Sequence, residues 1–204
     1  MILMVKYSLT GFCEIGWFYN LQYLNSLMDI RHVIWISTLI LTFAAAWLDW
    51  RTRRIPNWLT VSGLLLGITV NSALTGWHGT KLSLAGAIVA LAIPLPLVLL
   101  RGLGAGDWKL LGAVGAMLGP ILFLFVLFGT ILASGLMAMV QMLRTGRVLE
   151  TIHNLCVLVR GFFSFGLKPH PQISLDNPRL LKLPFGVAVA VATLICFCAA
   201  HWAV

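Results

Sequence analysis

Six acidic side chains are spread along the 204 residues, and two of them stand where acid–base chemistry could be done. Glu14, Asp29, Glu150 and Asp176 fall in polar segments and read as solvated charges. Asp49 and Asp107 differ: each sits where a long apolar run meets a basic loop. An ionisable side chain at such a depth is costly in lipid, which makes it a functional candidate by default. Two carboxylates that meet in a low-dielectric site can share one proton, so that one acts as base and the other as acid. That arrangement can activate water against a carbonyl.

Each aspartate also has a bland explanation. Asp49 could be an interfacial carboxylate paired with Arg51, Arg53 or Arg54, and Asp107 could be the N-cap of the apolar helix that follows it. Taken together these explanations lose ground, because both residues are expected on the same side of the membrane at similar depth. Asp107 also closes the glycine-rich run Gly104-Ala105-Gly106-Asp107, a G-x-G-D pattern whose glycines would let an extended peptide approach the backbone closely. A nucleotide loop is a poor fit: the third glycine of G-x-G-x-x-G would fall at Asp107, and no strand precedes it.

Other catalytic schemes fail on residue type. The five histidines form no H-E-x-x-H, and Leu132 stands where a G-x-S-G serine site around Ser134-Gly135 would need glycine. Cys13, Cys156, Cys196 and Cys198 form no C-x-x-C pair, so neither a metal site nor a disulfide framework is indicated. No cofactor is expected.

The elements that must hold the two aspartates are set by composition. Hydrophobic residues make up 60% of the chain and charged ones 10%, where a soluble domain carries about 25% charged residues. Apolar segments run from Val33 to Leu48, Trp58 to Leu74, Leu82 to Leu100, Ile121 to Val140 and Phe185 to Ala203. Several approach the ~20 residues needed to cross a bilayer. Between Asp107 and Gly119 lies LLGAVGAMLG, whose small residues allow close helix packing; it reads as a short sixth helix, with Pro120 starting the next. Pro94 and Pro96 read as kinks within a span, and Trp47, Trp50, Trp58 and Trp108 as interfacial anchors. The expectation is an all-α, polytopic membrane protein with about six transmembrane helices.

A formal charge of +8 could suggest nucleic acid, but the positions of the charges argue for a membrane instead. Eleven of the 14 basic residues fall in three loops: Arg51, Arg53 and Arg54; Arg101 and Lys109; and Arg144, Arg147, Arg160, Lys168, Arg179 and Lys182. With six crossings all three lie on one side, which the positive-inside rule makes cytoplasmic. Residues 1–32 read as an amino-terminal peripheral segment, with Met28 a second candidate start, and 33–204 as the membrane-embedded domain with a cytoplasmic loop over 141–183. Within that loop Val148, Leu149, Ile152, Leu155, Cys156 and Val159 recur at the spacing of an interfacial amphipathic helix, followed by the polar, proline-rich KPHPQISLDNP.

Read in order, Asp49, the run Arg51-Thr-Arg-Arg-Ile-Pro56-Asn57-Trp-Leu-Thr60, then Gly104-Ala-Gly106-Asp107-Trp-Lys109-Leu-Leu, then Leu183-Pro184-Phe-Gly186, resemble the type IV prepilin peptidase family of membrane aspartic proteases. The resemblance covers most of the chain from about Val33 onward. It implies that Asp49 and Asp107 are catalytic and face the cytoplasm of a bacterial inner membrane, and that Gly104, Gly106, Pro56, Asn57, Lys109, Pro184 and Gly186 shape the site or bind substrate. It also implies a prepilin or pseudopilin substrate with a short basic leader, and pilus or secretion assembly proteins as partners. The larger members carry a domain with paired C-x-x-C motifs and methylate the new amino terminus. No such motif is present, so the likeness is to the short, peptidase-only members of tight-adherence (Flp-type) pilus systems. Presenilin-like proteases share G-x-G-D, but Leu48 stands where they have tyrosine, and P-A-L is absent.

Two readings stay open for the basic residues Arg51, Arg53, Arg54 and Lys109: contact with lipid head groups, or with an acidic part of the substrate. The rival from another class is a non-enzymatic subunit of a pilus or secretion apparatus, or a small ion-coupled transporter. A transporter would place its carboxylates near the bilayer midplane and often shows a repeat. No repeat is visible, and both aspartates lie toward one end.

Overall fold

The computed structural model describes residues 31–99, 102–146 and 184–202. These residues form helices and short connections, with no strand among them. In chain order the helices are α1 (Arg31–Thr52), α2 (Asn57–Ala92), α3 (Leu95–Leu99), α4 (Ala105–Thr145) and α5 (Phe185–Trp202). Four of them, α1, α2, α4 and α5, are long and apolar enough to cross a membrane. The all-α membrane class expected from composition is what the chain adopts. Residues 1–30, the expected amphipathic helix after Val148 and the proline-rich loop lie outside the described residues.

α1 shows how the sequence aims a side chain. Trp35, Thr38, Thr42, Ala45 and Asp49 recur every three or four residues, and all are buried. The interleaved stripe Val33, Ile36, Ile40, Phe43, Trp47 and Trp50 is exposed and faces lipid. Asp49 therefore points into the bundle because it continues the buried stripe. The two buried threonines do not disturb this face: Thr38 Oγ1 donates to Ile34 O (2.7 Å) and Thr42 Oγ1 to Thr38 O (3.0 Å). α1 runs on through Arg51, expected from the sequence in the first basic loop. It stops where Arg53 takes a left-handed conformation (φ 54°) and its N–H donates to Asp49 O at 2.8 Å. Pro56, with φ −71°, then caps the start of α2.

Helices of 36 and 41 residues would run about 54 and 62 Å as straight rods, well beyond a hydrocarbon core of about 30 Å. Both are broken by glycine. In α2 the break is Gly76 (φ 62°, ψ −142°), and Ser72 Oγ lies 2.7 Å from Thr80 Oγ1. Residues eight apart on a straight helix are separated by about 12 Å, so the two rods of α2 fold back on each other. In α4 the break is Gly119 (φ 75°, ψ 175°), directly before Pro120. The sequence-based start of a new helix at Pro120 thus coincides with a real interruption. Pro94 does more than kink its span: α2 ends at Ala92, and the short α3 starts after it.

A helix end inside lipid needs donors for its carbonyls, and here they come from side chains. Pro120 has no N–H to give Ala116 O. Asn71 Nδ2 instead donates to Ala116 O (3.1 Å) and Met117 O (3.0 Å), and Ser83 Oγ donates to Ala116 O (2.6 Å). Asn71 and Ser83 are both buried and come from the two rods of α2. The first rod of α4 is consequently held on both sides by α2. Leu110, Leu111, Ala113, Val114 and Ala116 on it are completely or almost completely buried, and α5 packs on α4 as well.

Candidate active site

Asp49 and Asp107 are the only acidic side chains among the described residues. α1 delivers Asp49 in its last turn, and α4 delivers Asp107 in its first. Asp49 is buried, with 5% of its surface exposed. Its Oδ2 accepts a hydrogen bond of 2.8 Å from the backbone N–H of Gly186, in the first turn of α5. Arg53, one turn further along the chain, is near enough to interact electrostatically with Asp49. The two carboxylates also feel each other as like charges.

Asp107 is not the N-cap of its helix. Gly104 holds that place with extended backbone (φ −67°, ψ 143°), and Asp107 is the third helical residue. From there its half-buried carboxylate folds back on the Gly104 backbone, to which it hydrogen-bonds. A Cβ at position 104 would lie 2.8 Å from Asp107 Oδ2. Gly106 is confined in a different way: a Cβ there would come within 3.1 Å of Ile55 O and 3.3 Å of Ile55 Cβ. Both glycines of G-x-G-D are therefore used by the protein's own packing, one against the aspartate and one against the turn that leaves Asp49.

Most of the residues singled out in the sequence come together. Gly186 lies against Asp49, where a Cβ would be 3.1 Å from Asp49 Cβ and 3.2 Å from Ala45 O. Pro184 is buried and accepts a hydrogen bond from Val187 N (3.2 Å), starting α5. Lys109 Nζ donates to Asn57 Oδ1 at 3.0 Å, which joins the I-P-N turn to the G-x-G-D helix. Pro56 shapes that turn, and its carbonyl accepts a hydrogen bond from Leu59 N at 3.2 Å. Trp108 anchors the same turn of α4 through Nε1–H to Leu91 O (2.8 Å). Among the basic residues, Arg51 lines a shallow groove with Trp47 and Trp50 on the outer face of α1, away from Asp49.

Ile55, the first residue of I-P-N, is part of the motif in the sequence, but its place against Gly106 is not readable there. Asn71 and Ser83 do give a signal: a polar side chain inside a long apolar run has to find a partner. No group of three or more potential metal-ligating side chains gathers among the described residues.

Residues 36–139, just over half of the chain and spanning both aspartates, match the type IV leader peptidase family. The chain belongs to that family. No curated protein and no solved structure matches it. As a member of the leader peptidase family with several long apolar helices, it is a multi-pass membrane protein of the peptidase class. The resemblance seen in the sequence agrees with the family match, and the matched segment contains the Asp49 helix end, the I-P-N turn and the G-x-G-D helix together.

Proposed function

We propose that the protein is a membrane aspartic endopeptidase that removes short basic leaders from prepilin-like or pseudopilin substrates. What supports this reading is that Asp49 and Asp107, the two described acidic residues, lie near enough to interact electrostatically within a segment matched to a leader peptidase family. Nothing in the chemistry calls for a metal or an organic cofactor.

In the mechanism, the ionised member of the pair takes a proton from water as the oxygen adds to the scissile carbonyl carbon. The protonated member donates a hydrogen bond to the carbonyl oxygen, where negative charge develops. Collapse of the tetrahedral intermediate breaks the C–N bond, and the proton held by the pair passes to the leaving amine. The pair ends with one proton, as it began, so it titrates and acts as a unit. The Gly186 N–H and the Gly104 backbone fix the two carboxylates so that little reorganisation is needed as charge moves.

If the rods of α2 and α4 each count as a crossing, the chain spans the bilayer six times. Arg53 and Gly104 then share one side with the basic loops, and Trp77 lies on the other. By the positive-inside rule the aspartates face the cytoplasm of a bacterial inner membrane, where leader peptides are reached before export. The functional test is incubation of the purified, detergent-solubilised protein with a candidate prepilin, followed by mass determination. Products corresponding to a single cut between leader and mature chain are expected. An intact substrate across a panel of prepilins and pseudopilins would overturn the reading and favour a non-enzymatic membrane subunit.

A further inference from the structure

α4 meets the α1–α2 turn and the first two turns of α2 along one stripe of its surface, at positions 106, 109 and 113. Gly106 sits against Ile55, Lys109 Nζ donates to Asn57 Oδ1 at 3.0 Å, and Ala113 Cβ lies 3.3 Å from where a Cβ of Gly63 would be. Two of these contacts are apolar packing and tolerate small rotations. The third is directional. It joins a residue two positions after Asp107 to a residue eight positions after Asp49, across a sequence gap of 52. Asp107 stands about 100° round the helix from Gly106 and about 160° from Lys109, so a rotation of α4 about its axis that carried Lys109 away from Asn57 would also swing Asp107 relative to Asp49.

We propose that Lys109 and Asn57 form a positioning pair that sets the separation and rotation of the two carboxylates, without either residue touching the scissile bond. This inference rests on the aspartic peptidase reading. Asn57 is exposed, and a hydrogen bond at an exposed rim adds little to stability. Its loss should therefore leave the helices folded while loosening the geometry on which proton transfer depends. Catalysis is sensitive to such loosening, because a displacement of about 1 Å can cost on the order of a hundredfold in rate.

The test is a double-mutant cycle on the full chain in detergent, with kcat and KM measured separately on a leader peptide that the wild type cleaves. Asn57→Leu and Lys109→Met should each lower kcat about tenfold and leave KM within about twofold. The double variant should be no slower than the worse single one, since one contact is being removed twice. Asn57→Asp, which keeps an acceptor for Lys109, should retain most of the kcat. A rise in KM at unchanged kcat would instead place Lys109 in contact with substrate and overturn the positioning role. So would losses that add, or a normal kcat in both single variants. If Lys109→Met failed to accumulate, the contrast between Asn57→Leu and Asn57→Asp would decide alone. A wild type that cleaves no leader peptide would remove the aspartic peptidase reading itself, and this inference with it. A wild type that cleaves beside variants with normal kcat removes only the inference.

Discussion

The two rods of α4 are both apolar over most of their length and have opposite surroundings. Before Gly119, Leu110, Ala113, Val114 and Ala116 are completely buried, and a Cβ on Gly115 would lie 2.5 Å from Ala90 Cβ and 2.5 Å from Gly86 O. After Pro120, Ile121, Phe125, Phe128, Ile131, Leu132 and Leu136 are largely exposed, and a Cβ on Gly135 would meet nothing within 4 Å. Lipid is as apolar as leucine, so burial by itself holds helices together weakly in a bilayer. Close backbone approach and buried polar bonds hold the first rod, and only that rod carries a catalytic candidate. The second rod is free to present bulk to lipid, with Phe123, Val126 and Thr130 keeping one stripe inside.

The contrast can be broken at matched positions. Gly115→Ala forces its methyl into the Gly86 backbone and should destabilise the protein by about 2–3 kcal/mol, seen as a lower midpoint of thermal unfolding in detergent. An unchanged midpoint would mean that the first rod is not closely packed. Asn71→Leu leaves Met117 O without its buried donor and Ala116 O with Ser83 alone. A loss of about 1–3 kcal/mol is expected in the same measurement. Asn71→Gln, which can still donate, should recover part of that loss; equal effects of leucine and glutamine would remove the hydrogen bonds as the cause. Gly135→Ala sits in open space on the second rod, and its gain in helix propensity should raise stability by less than about 1 kcal/mol. Destabilisation there would indicate that the second rod packs on something other than lipid.

Much of this arrangement can be read from the sequence, and the boundary between what can and what cannot is physical. Long apolar helices and the interruption before Pro120 are properties of local composition, and they are legible, whereas Arg51, Lys109 and Arg144, read as loop residues, lie within helices. The nomination of Asp49 and Asp107 is legible too, because acidic residues beside apolar runs are rare and expensive. Contacts between distant segments are not legible. Nothing local in Leu183-Pro184-Phe-Gly186 says that the Gly186 N–H binds Asp49, and nothing in I-P-N says that Asn57 holds Lys109. At single positions a local rule and tertiary packing give different accounts. Asp107 looks like an N-cap, but the extended backbone of Gly104 takes that place and moves the carboxylate one turn inward. The glycines of G-x-G-D read locally as close approach for a substrate, and in the fold a Cβ on them would meet the Asp107 carboxylate and Ile55.

The central claim is that Asp49 and Asp107 perform the hydrolysis, and isosteric substitution tests it most directly. Asp49→Asn and Asp107→Asn keep the size of the side chain and its capacity to accept the backbone N–H bonds, but neither asparagine can exchange a proton. Asp29→Asn and Asp176→Asn, outside the described residues, serve as matched controls. Cleavage of a prepilin leader would be followed by mass for all four variants, alongside their yield and unfolding midpoint. The account predicts no detectable product from Asp49→Asn or Asp107→Asn at normal yield, and wild-type cleavage from both controls. Normal cleavage by either Asp49→Asn or Asp107→Asn would contradict it.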